Sequence, residues 1–149
     1  MAIEIEHKYL VKNDLYKEMA YEKLKITQGY LNRSPDRTVR VRTVNDKGFL
    51  TVKGRNTGDK RLEFEYEIPY EDARKLFELV EPGIINKTRY LVKYHSHVWE
   101  IDEFHDTLNG VVVAEVELPE SHHSYPLPPF IGEEITGNPK YYNSILSNK

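Results

Sequence analysis

The sequence predicts a mainly β (α+β) domain, in which strands take up most of the chain and a few helices lie outside them. Three observations carry that reading. Eight segments alternate apolar and polar residues with the period of two that a pleated strand imposes. Asn- and Gly-containing turns fall between several of them. At 149 residues there is room for one hydrophobic core, so residues 1–149 are read as a single domain.

In chain order, the first strand at 3–11 alternates Ile3, Ile5 and Tyr9 with Glu4, Glu6 and Lys8. Asn13 then supplies a cap for a helix running to about Leu24. Strands follow at 28–33 and 37–45, the second alternating Val39 and Val41 with Arg40 and Arg42. Asn45-Asp46-Lys47-Gly48 turns the chain into a strand at 48–55, where Lys53 sits between Val52 and Gly54. Asn56-Thr57-Gly58-Asp59 turns it again, into 60–68, with Glu63, Glu65 and Glu67 set against Leu62, Phe64 and Tyr66. Pro69 opens a helix over 70–80 that ends before Pro82-Gly83. The strand at 84–94 carries Lys87 and Arg89 on one face, and His95-Ser96 turns it into a strand at 97–104 that contains Asp102. Asn109-Gly110 opens the strand at 110–118, where Glu115 and Glu117 alternate with Ala114, Val116 and Leu118. Residues 119–132 hold four prolines and read as an irregular excursion. Asn138-Pro139 provides a cap and a first-turn proline for a helix at Tyr141–Leu146.

Composition excludes several functions. Lys plus Arg number 21 against 24 Asp plus Glu, a net charge of -3, which argues against a nucleic-acid protein with a broad basic face. With no cysteine there is neither a disulfide scaffold nor a thiolate-held metal. Apolar runs are too short to span a bilayer, and charge at Glu4 and Glu6 stands where a signal peptide needs its apolar stretch, so a cytoplasmic domain is expected. The six histidines read as isolated surface groups, and Trp99 with the eleven tyrosines as packing under the helices.

The alternation is unusual because each charged face is nearly of one sign. Like charges at i and i+2 repel, and sheets ordinarily dilute this by mixing signs. Closed into a barrel, such faces make an interior lined by acids and bases, with the apolar faces outward. Unpaired buried charge costs several kcal/mol per group, so this interior needs ligands. Divalent cations satisfy the carboxylates and polyanions satisfy the Arg and Lys groups. Metal-assisted binding of a phosphate chain unites the two.

Glu4-Ile5-Glu6-His7-Lys8 resembles the Glu-x-Glu-x-Lys signature of the CYTH superfamily, the triphosphate tunnel metalloenzymes. The later motifs of that family stand in order: Arg40 and Arg42, Thr51 and Lys53, Glu63 and Glu65, Lys87 and Arg89, Asp102, and Glu115 and Glu117. Gln28-Gly29-Tyr30-Leu31, the tail from Gly132 to Pro139, and Tyr142-Asn143 are similar to short bacterial members in particular. The resemblance spans essentially the whole chain.

It implies an eight-stranded antiparallel β-barrel forming a charged tunnel, with helices packed outside. It also implies a metal-dependent hydrolase of triphosphate compounds, acting on inorganic triphosphate to give pyrophosphate and phosphate. The other activities it leaves open are a class IV-type adenylyl cyclase, a thiamine triphosphatase, and a triphosphate- or polyphosphate-binding module without turnover. Glu4, Glu6, Glu115 and Glu117 are the candidates for the principal Mg²⁺ or Mn²⁺ site, since hard ions favour carboxylate oxygens. Glu63, Glu65 and Asp102 are assigned to a second ion or to the attacking water. Lys8, Arg40, Arg42, Lys53, Lys87 and Arg89 are expected to bind phosphate oxygens. A Tyr–Lys dyad in hydrolytic members places Tyr30 and Lys53 in the catalytic role. Arg55 and Arg61 flank the 56–60 loop, either at the tunnel mouth or in a solvated loop. Short members of the family pair as homodimers, and the resemblance extends that expectation to this chain.

Overall fold

A computed structural model describes residues 2–147. Its elements are β1 Ile3–Val11, α1 Tyr16–Met19, β2 Glu22–Asn32, β3 Arg37–Val44, β4 Lys47–Gly54, β5 Lys60–Ile68, α2 Tyr70–Leu76, β6 Ile85–Tyr94, β7 His97–Phe104, β8 Val112–Glu117, β9 Ile131–Glu134 and α3 Asn143–Leu146. Neighbouring strands run β5-β4-β3-β2-β6-β7-β8-β1. β1 then returns to β5 through Ile3↔Leu62, Glu4↔Arg61 and Ile5↔Lys60, closing an eight-stranded antiparallel barrel. β9 extends the same edge of β1 farther along, opposite Tyr9 and Val11. Asn45 (φ 53°) and His95 (φ 55°) supply the left-handed residues of the two-residue β3–β4 and β6–β7 hairpins.

Because charge occupies the interior, the main core lies on the outer face. Tyr9, Tyr90, Val92, Trp99, Ile101, Ala114 and Val116 point outward from β1, β6, β7 and β8, and Tyr16, Phe130 and Ile131 cover them. A second cluster has the inward parity. Ile85, Phe104 and Val113 share a face with Lys87, Asp102 and Glu115 but lie nearer one end of the barrel, where Ile135 and Leu146 pack on them. That end is sealed by an apolar stopper. The segment after α2 approaches the barrel closely at Gly29, where an added Cβ would meet Val80 at 2.9 Å.

Three expectations need correction. The helix from Asn13 to Leu24 shrinks to α1, and β2 begins at Glu22 instead of 28. Asn13 does accept the Leu15 N–H at 3.0 Å, but a lone helix of that length is marginal in water. Residues 22–28 instead gain a continuous ladder with Leu91–Ile85 of β6. The helix over 70–80 tightens into a 3₁₀ turn at Phe77–Leu79. The tail helix begins at Asn143, after a 3₁₀ turn at Pro139–Tyr141 that Asn138 caps. β9 was not anticipated, because four residues amid prolines and glycine carry no periodic signal of their own.

Candidate active site

Inward parity on seven strands brings the charged residues into one tunnel of about 180 Å³. Glu4, Glu6, Lys8, Tyr30, Arg40, Arg42, Lys53, Glu63, Glu65, Lys87, Arg89, Glu115 and Glu117 all line it. Asp102 is buried between Lys87 and Arg89 and does not reach the lining. Cross-strand register explains the grouping. Glu6 lies opposite Glu117, and Lys8 opposite Glu115, while Lys53 faces Glu63.

The acid wall centres on Glu4, Glu63 and Glu117, each of which offers a carboxylate oxygen within 4.8 Å of the others. Lys53 bridges two of them, its Nζ standing 3.3 Å from Glu4 and 3.1 Å from Glu63. One ammonium cannot neutralise this crowd. Burial, opposed by Lys53 and reinforced by Glu63 and Glu115, pushes the Glu4 carboxyl up to about 7. Burial and the neighbouring Glu115 and Glu4 raise Glu6 well above the usual carboxylate range, and burial beside Glu100 raises Glu117. Of the three clustered carboxyls only Glu63 is held down, its burial being outweighed chiefly by Lys53, and the raised ones mark a cluster short of a cation. The donor set is all hard oxygen, which suits Mg²⁺ or Mn²⁺.

The basic wall has the opposite deficit. Arg42 donates to Glu65 at 2.9 Å, and Arg40 lies 3.6 Å from the same carboxylate. Thr51 holds Glu65 in place with a hydrogen bond of 2.9 Å. The Nε–H groups of Arg40 and Arg42 are nonetheless buried without an acceptor. Burial, together with the nearby Arg40 and Arg89 cations, pulls Arg42 down to about 10. These guanidinium groups are short of an anion.

Deeper in, Asp102 accepts from Arg89 at 2.7 and 2.9 Å and lies 2.7 Å from Lys87 Nζ. Burial alone would raise this carboxyl, but Arg89 and Lys87 hold it far below the usual range. Both of its oxygens are engaged by cations, so its geometry is that of a counter-ion. Glu115 is likewise held down to about 2, burial being outweighed by Lys8, Arg89 and Lys87. Asn143 accepts from Lys87 Nζ and from Gln28, each at 2.9 Å, and so fixes the ammonium from the sealed end. Asn143, Gln28 and Thr51 gave no charge pattern to read. Their roles emerge only once α3, β2 and β4 meet.

Tyr30 is buried, lines the tunnel and lies under the Arg33 guanidinium, 5.7 Å from its ring centroid. No hydrogen bond joins it to Lys53. Arg61 stands at the lining, whereas Arg55 pairs in solvent with Asp36 at 2.6 Å.

The CYTH domain family matches residues 2–143. A curated inorganic triphosphatase of Acetivibrio thermocellus is 47% identical over 147 residues, covering 98% of this chain and 94% of its own. A second inorganic triphosphatase, from Nitrosomonas europaea, is 30% identical over 148 residues, covering 97% and 96%. A crystal structure described as an inorganic triphosphatase is similar at a TM-score of 0.69 and 28% identity, covering 100% of this chain and 97% of that one.

Proposed function

The chain belongs to the CYTH domain family, and from that premise we propose that it hydrolyses inorganic triphosphate to pyrophosphate and phosphate inside the barrel, with a divalent cation. One observation carries the reading. An acid cluster short of a cation faces a guanidinium cluster short of an anion across one small tunnel. A metal–triphosphate complex satisfies both at once, and the relatives named above are inorganic triphosphatases.

Glu4, Glu63 and Glu117 would hold Mg²⁺ or Mn²⁺, with Glu6 and Glu115 behind them. A bound ion would supply positive charge to the phosphoryl oxygens. Arg40, Arg42 and Arg89 present planar forks to the phosphate chain, while Lys8 and Lys87 act as point charges. These donors are fixed before substrate arrives, so little reorganisation accompanies charge build-up on the leaving pyrophosphate. Lys53, anchored by Glu4 and Glu63, and Tyr30 on the adjoining wall are assigned to orienting the attacking water. Glu65 sets the two arginines, and Asp102 sets Arg89 and Lys87. Water adds to the terminal phosphorus, the bridging P–O bond breaks, and the water's protons leave to solvent and to phosphate.

Residues 1–149 are taken as one CYTH domain, working in the cytoplasm as a homodimer. Leu62, Phe64 and Tyr66 stand exposed on the outer face of β5 beside Ile3, an apolar strip suited to a second copy. Among the described residues, no helix is long and apolar enough to cross a membrane.

Glu4→Gln tests the site. The variant keeps its fold and loses about 10²–10³-fold in kcat with inorganic triphosphate and Mg²⁺. Wild-type turnover in that variant would remove the acid cluster from the reaction.

A further inference from the structure

The histidines read as isolated in the sequence are not all isolated in the fold. His97 opens β7 and His123 lies in the proline-rich segment after β8, yet their Nε2 atoms are 3.0 Å apart. The rings meet edge to face, with centroids 5.1 Å apart. We propose that His97 and His123 form a second metal site, for a borderline transition-metal ion such as Zn²⁺, on the rim of the barrel and separate from the carboxylate site in the tunnel.

The geometry fits. Two imidazole nitrogens bound to one tetrahedral zinc at ordinary Zn–N lengths stand about 3.3 Å apart, so a shift of a few tenths of an ångström admits the ion. Ser96 Oγ faces Nδ1 of His97 at 3.5 Å. A proton held on that nitrogen leaves the His97 Nε2 lone pair to accept a hydrogen bond from His123 Nε2–H, and an ion bound by both rings displaces that shared proton. The position is built rather than accidental. The segment carrying His123 is pinned by Ser121 donating to Asp59 at 2.8 Å. Tyr125 pins it again, with its hydroxyl 2.6 Å from His7 and 2.5 Å from the Tyr9 hydroxyl. The Tyr125 ring also packs on His97, with centroids 5.9 Å apart.

His97 and His123 open on a second cavity at the end of the barrel opposite the Leu146 stopper, and Glu100 and Glu117 line that cavity as well as the tunnel. Among the described residues no carboxylate joins the two imidazoles in a three-ligand group, so waters would fill the remaining positions of an ion held there. Imidazole prefers zinc, nickel or copper over magnesium, so the two sites differ in the ions they select. This inference stands on the histidine geometry and does not depend on the proposed hydrolase.

The test titrates ZnCl₂ calorimetrically into the full chain in saturating Mg²⁺, which occupies the tunnel carboxylates. One Zn²⁺ per chain is expected, with affinity falling at least about tenfold in His97→Ala/His123→Ala. The Mg²⁺-dependent hydrolysis of that double variant should match wild type, which also reports its folding. A measurement without variants supports it: Cu²⁺ added to the wild-type chain should give an electron paramagnetic resonance spectrum split by two imidazole nitrogens. Equal Zn²⁺ affinity in the double variant, no binding to wild type under Mg²⁺, or a copper spectrum without nitrogen coupling would each overturn the site.

Discussion

Asp102 shows how a single side chain is read differently in sequence and in space. Its place in the motif order suggested a part in holding a second ion or the attacking water, whereas in the fold its two oxygens are held by Arg89 and Lys87. As a counter-ion it keeps two buried cations aimed into the tunnel. Asp102→Asn should therefore destabilise the protein by about 3–5 kcal/mol at pH 7, since it strands buried positive charge. The sign of the pH dependence follows from a carboxyl whose folded pKa is depressed. Its stabilising contribution is complete above the ordinary carboxylate range and is lost as pH falls below it. Urea melts of wild type and variant at pH 7 and in acid measure the difference, which should be largest at pH 7 and narrow as the pH drops below about 4. A gap that widens in acid would contradict the assignment. The charged residues were legible in sequence because their spacing repeats. Thr51, Gln28 and Asn143 stood in the sequence only as parts of the resembling motifs, without a role, because neutral hydrogen-bonding groups take on a function only through the partners that folding gives them.

At the scale of elements, strands were legible where alternation ran for several residues, and β1, β3, β4, β5, β6 and β7 fall close to their expected bounds. The segment after Asn13 was misread because cap and propensity signals are local, while the ladder between β2 and β6 is not. α2 was read correctly as a helix, but what seats it lay elsewhere. It docks on β4 at Gly48, where a Cβ would stand 2.6 Å from the Ala73 Cβ and 3.2 Å from the Ile68 carbonyl. Gly48→Val should cost about 1–3 kcal/mol by pushing α2 off the barrel, and thermal melts check it. The site lies on the other face of the sheet, so the kcat of the folded variant with inorganic triphosphate should change little.

For the whole molecule, the inverted polarity was the most informative feature of the chain. A barrel with charge inside and its main core outside follows from strands whose charged faces are nearly of one sign, and the closed order β5-β4-β3-β2-β6-β7-β8-β1 realises it. The sealed end was not legible, since the stopper combines Ile85, Phe104 and Val113 with Ile135 and Leu146 from the tail. The central claim is that opposed acid and base walls exist to hold a metal–triphosphate. It is tested most directly by measuring phosphate release from inorganic triphosphate, ATP and thiamine triphosphate, each with Mg²⁺, Mn²⁺ or a chelator. The account predicts strong release from inorganic triphosphate with either ion and none with chelator. Release that chelator leaves untouched, or no release from inorganic triphosphate while ATP yields cyclic AMP, would contradict it.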